Sequence, residues 1–261
     1  MSGEGAADPA GEAGKALPPF VFFDDIDSTN EEARRRLGAD GVRPQWLIAR
    51  RQSQGRGRHG RAWASLAGNL HASLLTPAPR PVMAAARLSF VAALAVVEMV
   101  KEAAGPGLGI ACKWPNDVLL EGGKVAGILL EAAQDPRQRP WLIVGIGVNL
   151  AHAPPDTRWP AASLADHGIA LSVDSTARML ARTWEKWRRI HDAQGFAPVR
   201  AAWMARAHGL GARVSLAGAE PGGALQGAFI GLDESGAARL RLDSGAEKLI
   251  HAGELSFPPD R

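Results

Sequence analysis

The chain has 261 residues, 46% of them hydrophobic and 22% charged, with a formal net charge of +3. That is globular composition with length for a sizeable core, and it excludes a disordered or collagen-like chain. The single cysteine excludes an internal disulfide, and the mild, local basicity does not require nucleic acid as a partner.

Met1 to Pro19 are rich in Gly, Ala and Pro and lack an apolar signal-peptide core, so they read as a disordered tail. The longest apolar run, Leu88 to Val97, is too short to span a bilayer, which predicts a soluble, cytoplasmic protein. Phe20 to Phe23 read as a strand. Asp27 to Glu32 open a helix in which Ser28 with Glu31, or Thr29 with Glu32, fits a capping box. Strands are expected at Trp46 to Ala49 and Leu70 to Leu75. A helix is expected from Met83 to Ala104, with Leu88, Val91, Ala92, Ala95 and Met99 on one face and Gly105-Pro106-Gly107 as its stop.

Gly109 to Lys113 read as a strand carrying Cys112 as a small buried apolar residue rather than a nucleophile. A hairpin follows: Asp117 to Leu120, a Glu121-Gly122-Gly123 turn, and Lys124 to Glu131. Trp141 to Leu150 is apolar on both faces, as a central strand would be. Asp174 to Gln194 is a helix whose Trp184 and Trp187 read as core, and Phe196 to His208 is a second. From Gly211, short strand-like runs broken by Gly, Pro and Asp suggest a small β-module, barrel-like in its spacing. The expected division is a tail over 1–19, a main domain over 20–209 and the β-module over 210–261.

The most informative stretch is Gln52 to Trp63. Three glycines and three arginines lie within the seven residues from Gly55 to Arg61, and a tryptophan closes the run. Glycine lets backbone approach a ligand, arginine matches carboxylate and phosphate, and tryptophan offers a flat face. A short basic segment of this kind also suits non-specific nucleic-acid binding. Its place between two apolar strands favours a loop that closes over a small anion carrying a ring.

Two further motifs lie downstream. Lys113-Trp114-Pro115-Asn116-Asp117 reads singly as a turn, but Asn116 and Asp117 also suit a ribose, a phosphate or a magnesium ion. Lys124-Val125-Ala126-Gly127-Ile128 reads singly as a solvated strand end, but the same arrangement delivers an ammonium group to a carboxylate beside a glycine that permits close approach.

With Asp27-Ser28-Thr29-Asn30 and Gly145-Ile146-Gly147-Val148-Asn149-Leu150, these motifs make the chain resemble the biotin–protein ligases over Phe20 to about Phe257. The resemblance implies an α+β fold. Its parts are a mixed, largely antiparallel sheet with packed helices, like a class II synthetase core, and a small C-terminal SH3-like β-barrel. It implies attack of biotin's carboxylate on the α-phosphorus of ATP, giving biotinyl-5′-AMP, then transfer to a lysine of a biotin carboxyl carrier protein, with Mg²⁺ on the triphosphate. Carried over by position, Ser28, Thr29 and Gln52 hold the ureido ring, and Gly55 and Arg56 belong to the loop over biotin. Arg58 and Arg61 meet the phosphates, with Arg58 also at biotin, and Trp63 packs on the adenine side. Lys124 contacts biotin's carboxylate and the α-phosphate and is, with Arg58 and Arg61, the catalytic candidate. Gly127 lies against biotin. Asn116, Asn149 and Trp159 fall on the nucleotide side, and Asp117 is the candidate metal ligand.

Longer relatives carry a helix-turn-helix domain, for which Met1 to Pro19 are too few, so no DNA binding is expected. His59 stands where an arginine is expected, and Leu66 where a proline is common. Relatives are monomers or dimers through their sheets, and a homodimer is one of the states this leaves open. The alternatives are a lipoate–protein ligase of the same fold and chemistry, and a non-catalytic biotin-sensing module. The glycine–arginine loop and the Lys-Trp-Pro-Asn-Asp motif weigh against the first, and retention of Lys124 and the phosphate arginines against the second.

Overall fold

The computed structural model describes residues 16–39, 41–155, 157, 159–220 and 223–257. The expected tail therefore lies outside the described residues as far as position 15, as does the end of the β-module after position 257. Twelve strands and four α-helices are present among the described residues. The main sheet is built from β1 (Phe20–Ile26), β2 (Gln45–Gln52), β3 (Leu70–Pro77), β4 (Ile110–Lys113), β5 (Asp117–Leu120), β6 (Gly123–Gln134) and β7 (Pro140–Val148). Their order is β1-β2-β3-β7-β6-β5-β4, and only β1 and β2 run parallel. The sheet is mixed and largely antiparallel, and β7 lies at its centre, as its two-faced apolar run requires.

Alternation along the strands sorts the two faces. Trp46 and Ile48 of β2, Leu70, Ala72 and Leu74 of β3, and Val144, Ile146 and Val148 of β7 point into one large core. That core is completed by α2 (Leu88–Ala104), α3 (Val173–Gln194) and α4 (Phe196–Met204). On the opposite face, Leu47, Leu75, Trp141 and Ile143 pack under Ala33 and Leu37 of α1 (Thr29–Leu37), forming a smaller cluster. Beyond that cluster the same face carries His71, Ser73, Gly145 and Gly147, and a groove forms there.

Several boundaries differ from the expectation. The 82–87 segment is a 3₁₀ turn, and the α-helix begins only at Leu88. That helix is buried nearly all round, because α3 and α4 cover what the sheet does not. α4 ends at Met204, and the following backbone pairs with β4 instead: Cys112 N–H donates to Arg206 O at 2.7 Å and His208 N–H to Cys112 O at 2.8 Å. Cys112 is buried as read, and burial pushes its thiol up to about 12. The C-terminal module is a five-stranded antiparallel sheet of order β11-β10-β9-β8-β12. Its strands are β8 (Arg213–Glu220), β9 (Gly223–Leu232), β10 (Ala238–Arg241), β11 (Glu247–Ile250) and β12 (Leu255–Ser256). It fits a small barrel-like domain. β12, of two residues, gives too short a signal to be read in advance.

The Trp184 ring is 1% exposed and meets Trp46 edge-on at 6.5 Å between centroids. Trp184→Ala leaves a ring-sized cavity between α3 and the sheet and is expected to cost about 3–5 kcal/mol. A urea titration should show a lower midpoint with an unchanged slope.

Candidate functional site

The groove floor follows from strand register. Gly147 of β7 faces Gly127 on β6 and His71 on β3, and Gly145 faces Ser73. With so little side chain here, the sheet presents bare backbone, and Trp63 lies flat on it. A Cβ on Gly147 would overlap the Trp63 ring, and one on Gly127 would stand 3.0 Å from Trp63 Cζ3. Gly55 is needed for a related reason: a Cβ there would overlap Ser65 Oγ and stand 2.8 Å from the Trp63 carbonyl oxygen.

The glycine–arginine loop folds back on itself as a small hairpin. Gly57 N–H donates to Arg61 O at 2.7 Å, Trp63 N–H donates to Gly55 O at 2.9 Å, and Arg56 bridges to Ala62. His59 sits at its tip, exposed, with φ of 56°. A left-handed conformation there suits histidine better than most side chains.

Polar groups of α1 form one wall. Ser28 occupies the N-cap position in extended conformation, but its side chain makes no capping hydrogen bond. The expected capping box is therefore not formed. Ser28 N–H goes to Asp27 Oδ1 at 2.6 Å, and Gln52 serves the next residue: Oε1 accepts from Thr29 N–H at 2.8 Å and from Thr29 Oγ1 at 3.1 Å, while Nε2 donates to Ser65 Oγ at 2.9 Å. Glu31 and Glu32 turn instead to arginines. Behind this wall Ser73 Oγ lies 2.7 Å from Thr29 Oγ1 and 2.5 Å from Asn30 Oδ1, and Asn30 Nδ2 donates to Glu131 at 2.6 Å. The chain of contacts ties β3, α1, β2 and the loop together and fixes the face that Gln52 and Thr29 present.

The other wall is cationic. Lys124 Nζ lies 2.8 Å from Asp117 Oδ1 and 5.6 Å from the Trp63 ring centroid. Arg58 donates to Asn116 Oδ1 and to Gly253 O, each at 3.2 Å. Burial holds the Arg58 guanidinium below its ordinary pKa, against the opposing pull of Asp117 and Glu254. Arg61 donates to Glu254 at 2.6 Å, and Lys113 Nζ stands 3.9 Å from the same carboxylate. Burial pushes the Glu254 carboxyl up, but the Arg61 hydrogen bond and charge and the Lys113 charge outweigh it, so the group ends below the usual range. Thus the C-terminal module reaches back to the loop through the Gly253-Glu254 turn.

Ser28, Thr29, Gln52, Arg56, Arg58, Arg61, Trp63, Asn116, Asp117, Lys124 and Gly127 all line this one groove. The other singled-out residues do not. Gly55 is buried behind the loop. Asn149 is 2% exposed, and its Nδ2 bridges the carbonyls of Lys124 at 3.2 Å and Ala162 at 3.1 Å, so its side chain supports the lysine strand instead of facing the groove. Trp159 donates to Gly122 O and stacks under Lys113, whose Nζ is 3.8 Å from the ring centroid, beside His208 and Phe257. Sequence reasoning missed Asn30, His71, Ser73 and Glu254. Period-two alternation in β3 marks the polar His71 and Ser73 as belonging to a face of their own, but nothing local places Glu254 here. Among the described residues no group of three or more His, Cys, Asp or Glu side chains is arranged to hold a metal ion. No described helix is long and apolar enough to cross a membrane.

Residues 22–149 match the biotin/lipoate A/B protein ligase family, and residues 209–257 match the biotin protein ligase C-terminal domain. The chain is 43% identical over 239 residues to a biotin–[acetyl-CoA-carboxylase] ligase of Paracoccus denitrificans, covering 88% of this chain and 97% of that protein. It is 37% identical over 242 residues to the ligase of the same name from Mycobacterium tuberculosis, covering 87% and 85%. In three dimensions it is similar to the biotin protein ligase from Aquifex aeolicus solved with biotin and ATP. The TM-score is 0.76 at 28% identity, over 92% of this chain and 98% of that one.

Gly147→Ala places a methyl where the Trp63 indole lies. The variant is expected to bind biotin at least about tenfold more weakly, because the displaced ring reshapes the wall of a close-packed site; titration calorimetry reads the change. A second expectation concerns Asp27, next to the groove, whose carboxylate pairs with both Arg35 Nη atoms at 2.8 Å and accepts from Ser28 N–H at 2.6 Å. The Arg35 hydrogen bond holds its pKa at about 2, below the ordinary 3.8. A depressed carboxylate stabilises the fold above 3.8 and loses that contribution as pH falls toward about 2. The stability difference between wild type and Asp27→Asn should therefore be present at neutral pH and close across that window in denaturant titrations.

Proposed function

The chain belongs to the biotin–protein ligases of the biotin/lipoate A/B protein ligase family, and we infer how its groove carries out their reaction. The enzyme activates biotin with ATP and transfers it to a biotin carboxyl carrier protein, the partner that the name of its acetyl-CoA-carboxylase-ligase relatives implies. A carboxylate oxygen of biotin attacks the α-phosphorus, the bond to the bridging oxygen breaks, and diphosphate leaves. The neutral ε-amine of a carrier lysine then attacks the acyl carbon of biotinyl-5′-AMP. An amide forms, AMP leaves, and the amine gives up a proton.

The observation that carries the reading is the convergence of Lys124, Arg58 and Arg61 on a floor of bare backbone, opposite the Thr29–Gln52 hydrogen-bonding wall. Both reactants of the first step are anions, so their approach needs fixed cations in a site shielded from water. Lys124 lies between the floor and Asp117, positioned to share its charge between the biotin carboxylate and the α-phosphate. Arg58, held by Asn116 and Gly253, and Arg61, held by Glu254, supply pre-positioned charge for the phosphates. Thr29 and Gln52, with Ser28 beside them, address the ureido edge. Trp63, lying over Gly127 and Gly147 beside Lys124, is the wall we assign to the adenine side.

Magnesium fits this groove only as part of the nucleotide complex. Asp117, which also pairs with Lys124, would supply one carboxylate, and the triphosphate would have to provide other ligands, the usual pattern for this ion. Bound to ATP, it makes diphosphate a better leaving group. The cytoplasm, where biotin, ATP and carboxylases meet, is the compartment we assign.

Native mass spectrometry with Mg-ATP and biotin should show a retained adduct with the mass of biotinyl-5′-AMP. Lys124→Ala should lower its rate of formation by about a hundredfold or more. Bound biotin without adenylate would favour a sensor, and an adduct formed only with lipoate would overturn the ligand assignment.

A further inference from the structure

The hairpin of the glycine–arginine loop is tied down at both ends. Arg58 and Arg61 hold it to the C-terminal module. At the other end Arg56 forms a close ion pair with Glu31 in the first turn of α1 and stands 4.0 Å from Glu131 of β6. Arg56 thus has carboxylate partners on α1 and β6, at the opposite end of the hairpin from the Arg61–Glu254 pair. Glu131 is held in place from two sides, by Asn30 at 2.6 Å and by Arg34 at 3.0 Å, and Arg34 also lies 3.8 Å from Glu31. Glu31 is therefore the carboxylate that holds Arg56, and Glu131 is the fixed second charge behind it.

We propose that Glu31 is a positioning residue that latches the glycine–arginine loop shut through Arg56, setting how long the activated intermediate stays enclosed. The proposal rests on the ligase reading. It gives the hairpin two ties: Arg58 and Arg61 hold it to the C-terminal module on the phosphate side, while Arg56 holds it to Glu31 of α1. Glu31 lies two residues from Thr29, so the latch and the ring-binding wall share the same turn of α1. The Arg56 side chain is 41% exposed and that of Glu31 32%. A pair so open to water is weak and screened by salt, which lets the loop reopen for the carrier.

The test measures release of biotinyl-5′-AMP from the full-length enzyme, after synthesis from biotin and Mg-ATP, by rapid dilution and trapping. Glu31→Gln should release it about fivefold faster, the effect of losing one partly exposed ion pair. Rising sodium chloride should speed release from wild type more than from the variant, in which the exposed Arg61–Glu254 pair is the tie left to be screened. Arg56→Gln should act similarly, and the double variant should be no faster than either single one. A retained adenylate in wild type with release unchanged in Glu31→Gln overturns the latch and leaves the ligase reading intact. So does a double variant in which the two effects multiply. Failure of wild type to form any adenylate would instead overturn the ligase reading itself.

Discussion

The site depends on one stretch of sheet that has almost no side chains. Gly145 and Gly147 lie on the central strand, and Gly127 is beside Gly147 on the next. On the opposite face the same strands carry Val144, Ile146 and Val148 into the main core. A central strand is normally covered by side chains on both faces. Here one face is left as backbone, so that an indole and a ligand can lie directly on it. The rigidity comes from the packed face and the access from the bare one.

Charge is arranged around that floor in two layers. Lys124, Arg58 and Arg61 stand at the rim, each pinned by a neighbour: Asp117, Asn116 with Gly253, and Glu254. Pre-pinned cations need little reorganisation when an anion arrives, which is where electrostatic catalysis gains most. The pinning groups come from three places: the β4–β5 turn, β5 itself and the C-terminal module. The small module therefore helps to build the groove, since its Gly253-Glu254 turn orients two of the arginines. Burial and hydrogen bonding act together in this layer, lowering the Arg58 pKa by desolvation while Arg61 and Lys113 keep Glu254 ionised.

The polar wall shows how one residue can replace a standard local motif. Ser28 and the glutamates after it have the spacing of a capping box, yet Ser28 N–H is taken by Asp27 and Thr29 N–H by Gln52 from β2. A tertiary hydrogen bond has displaced the local one. This frees Ser28 to face the groove and leaves Glu31 and Glu32 for arginines. The substitution also couples the helix start to the loop, because the other end of Gln52 holds Ser65 two residues beyond Trp63.

Local chemistry made much of this protein legible in the sequence. Strand periodicity and glycine stops located most elements to within a few residues, the texture change near Gly211 marked the module, and the arginine, lysine and Asn-Asp motifs pointed to an anion-activating site. The family's motifs then identified the ligand. Tertiary structure alone decided which of those residues share the groove. Asn149 and Trp159 belong to motifs as good as the others, but Asn149 spends its side chain on two carbonyls and Trp159 lies under Lys113. Conversely Glu254 stands 193 residues from Arg61 and has no local signature, yet it sets that arginine's position. A sequence records the chemistry each side chain offers. Which partner satisfies it is settled by strand register and by how the two domains meet, since a hydrogen bond or ion pair depends on proximity in space rather than on separation along the chain.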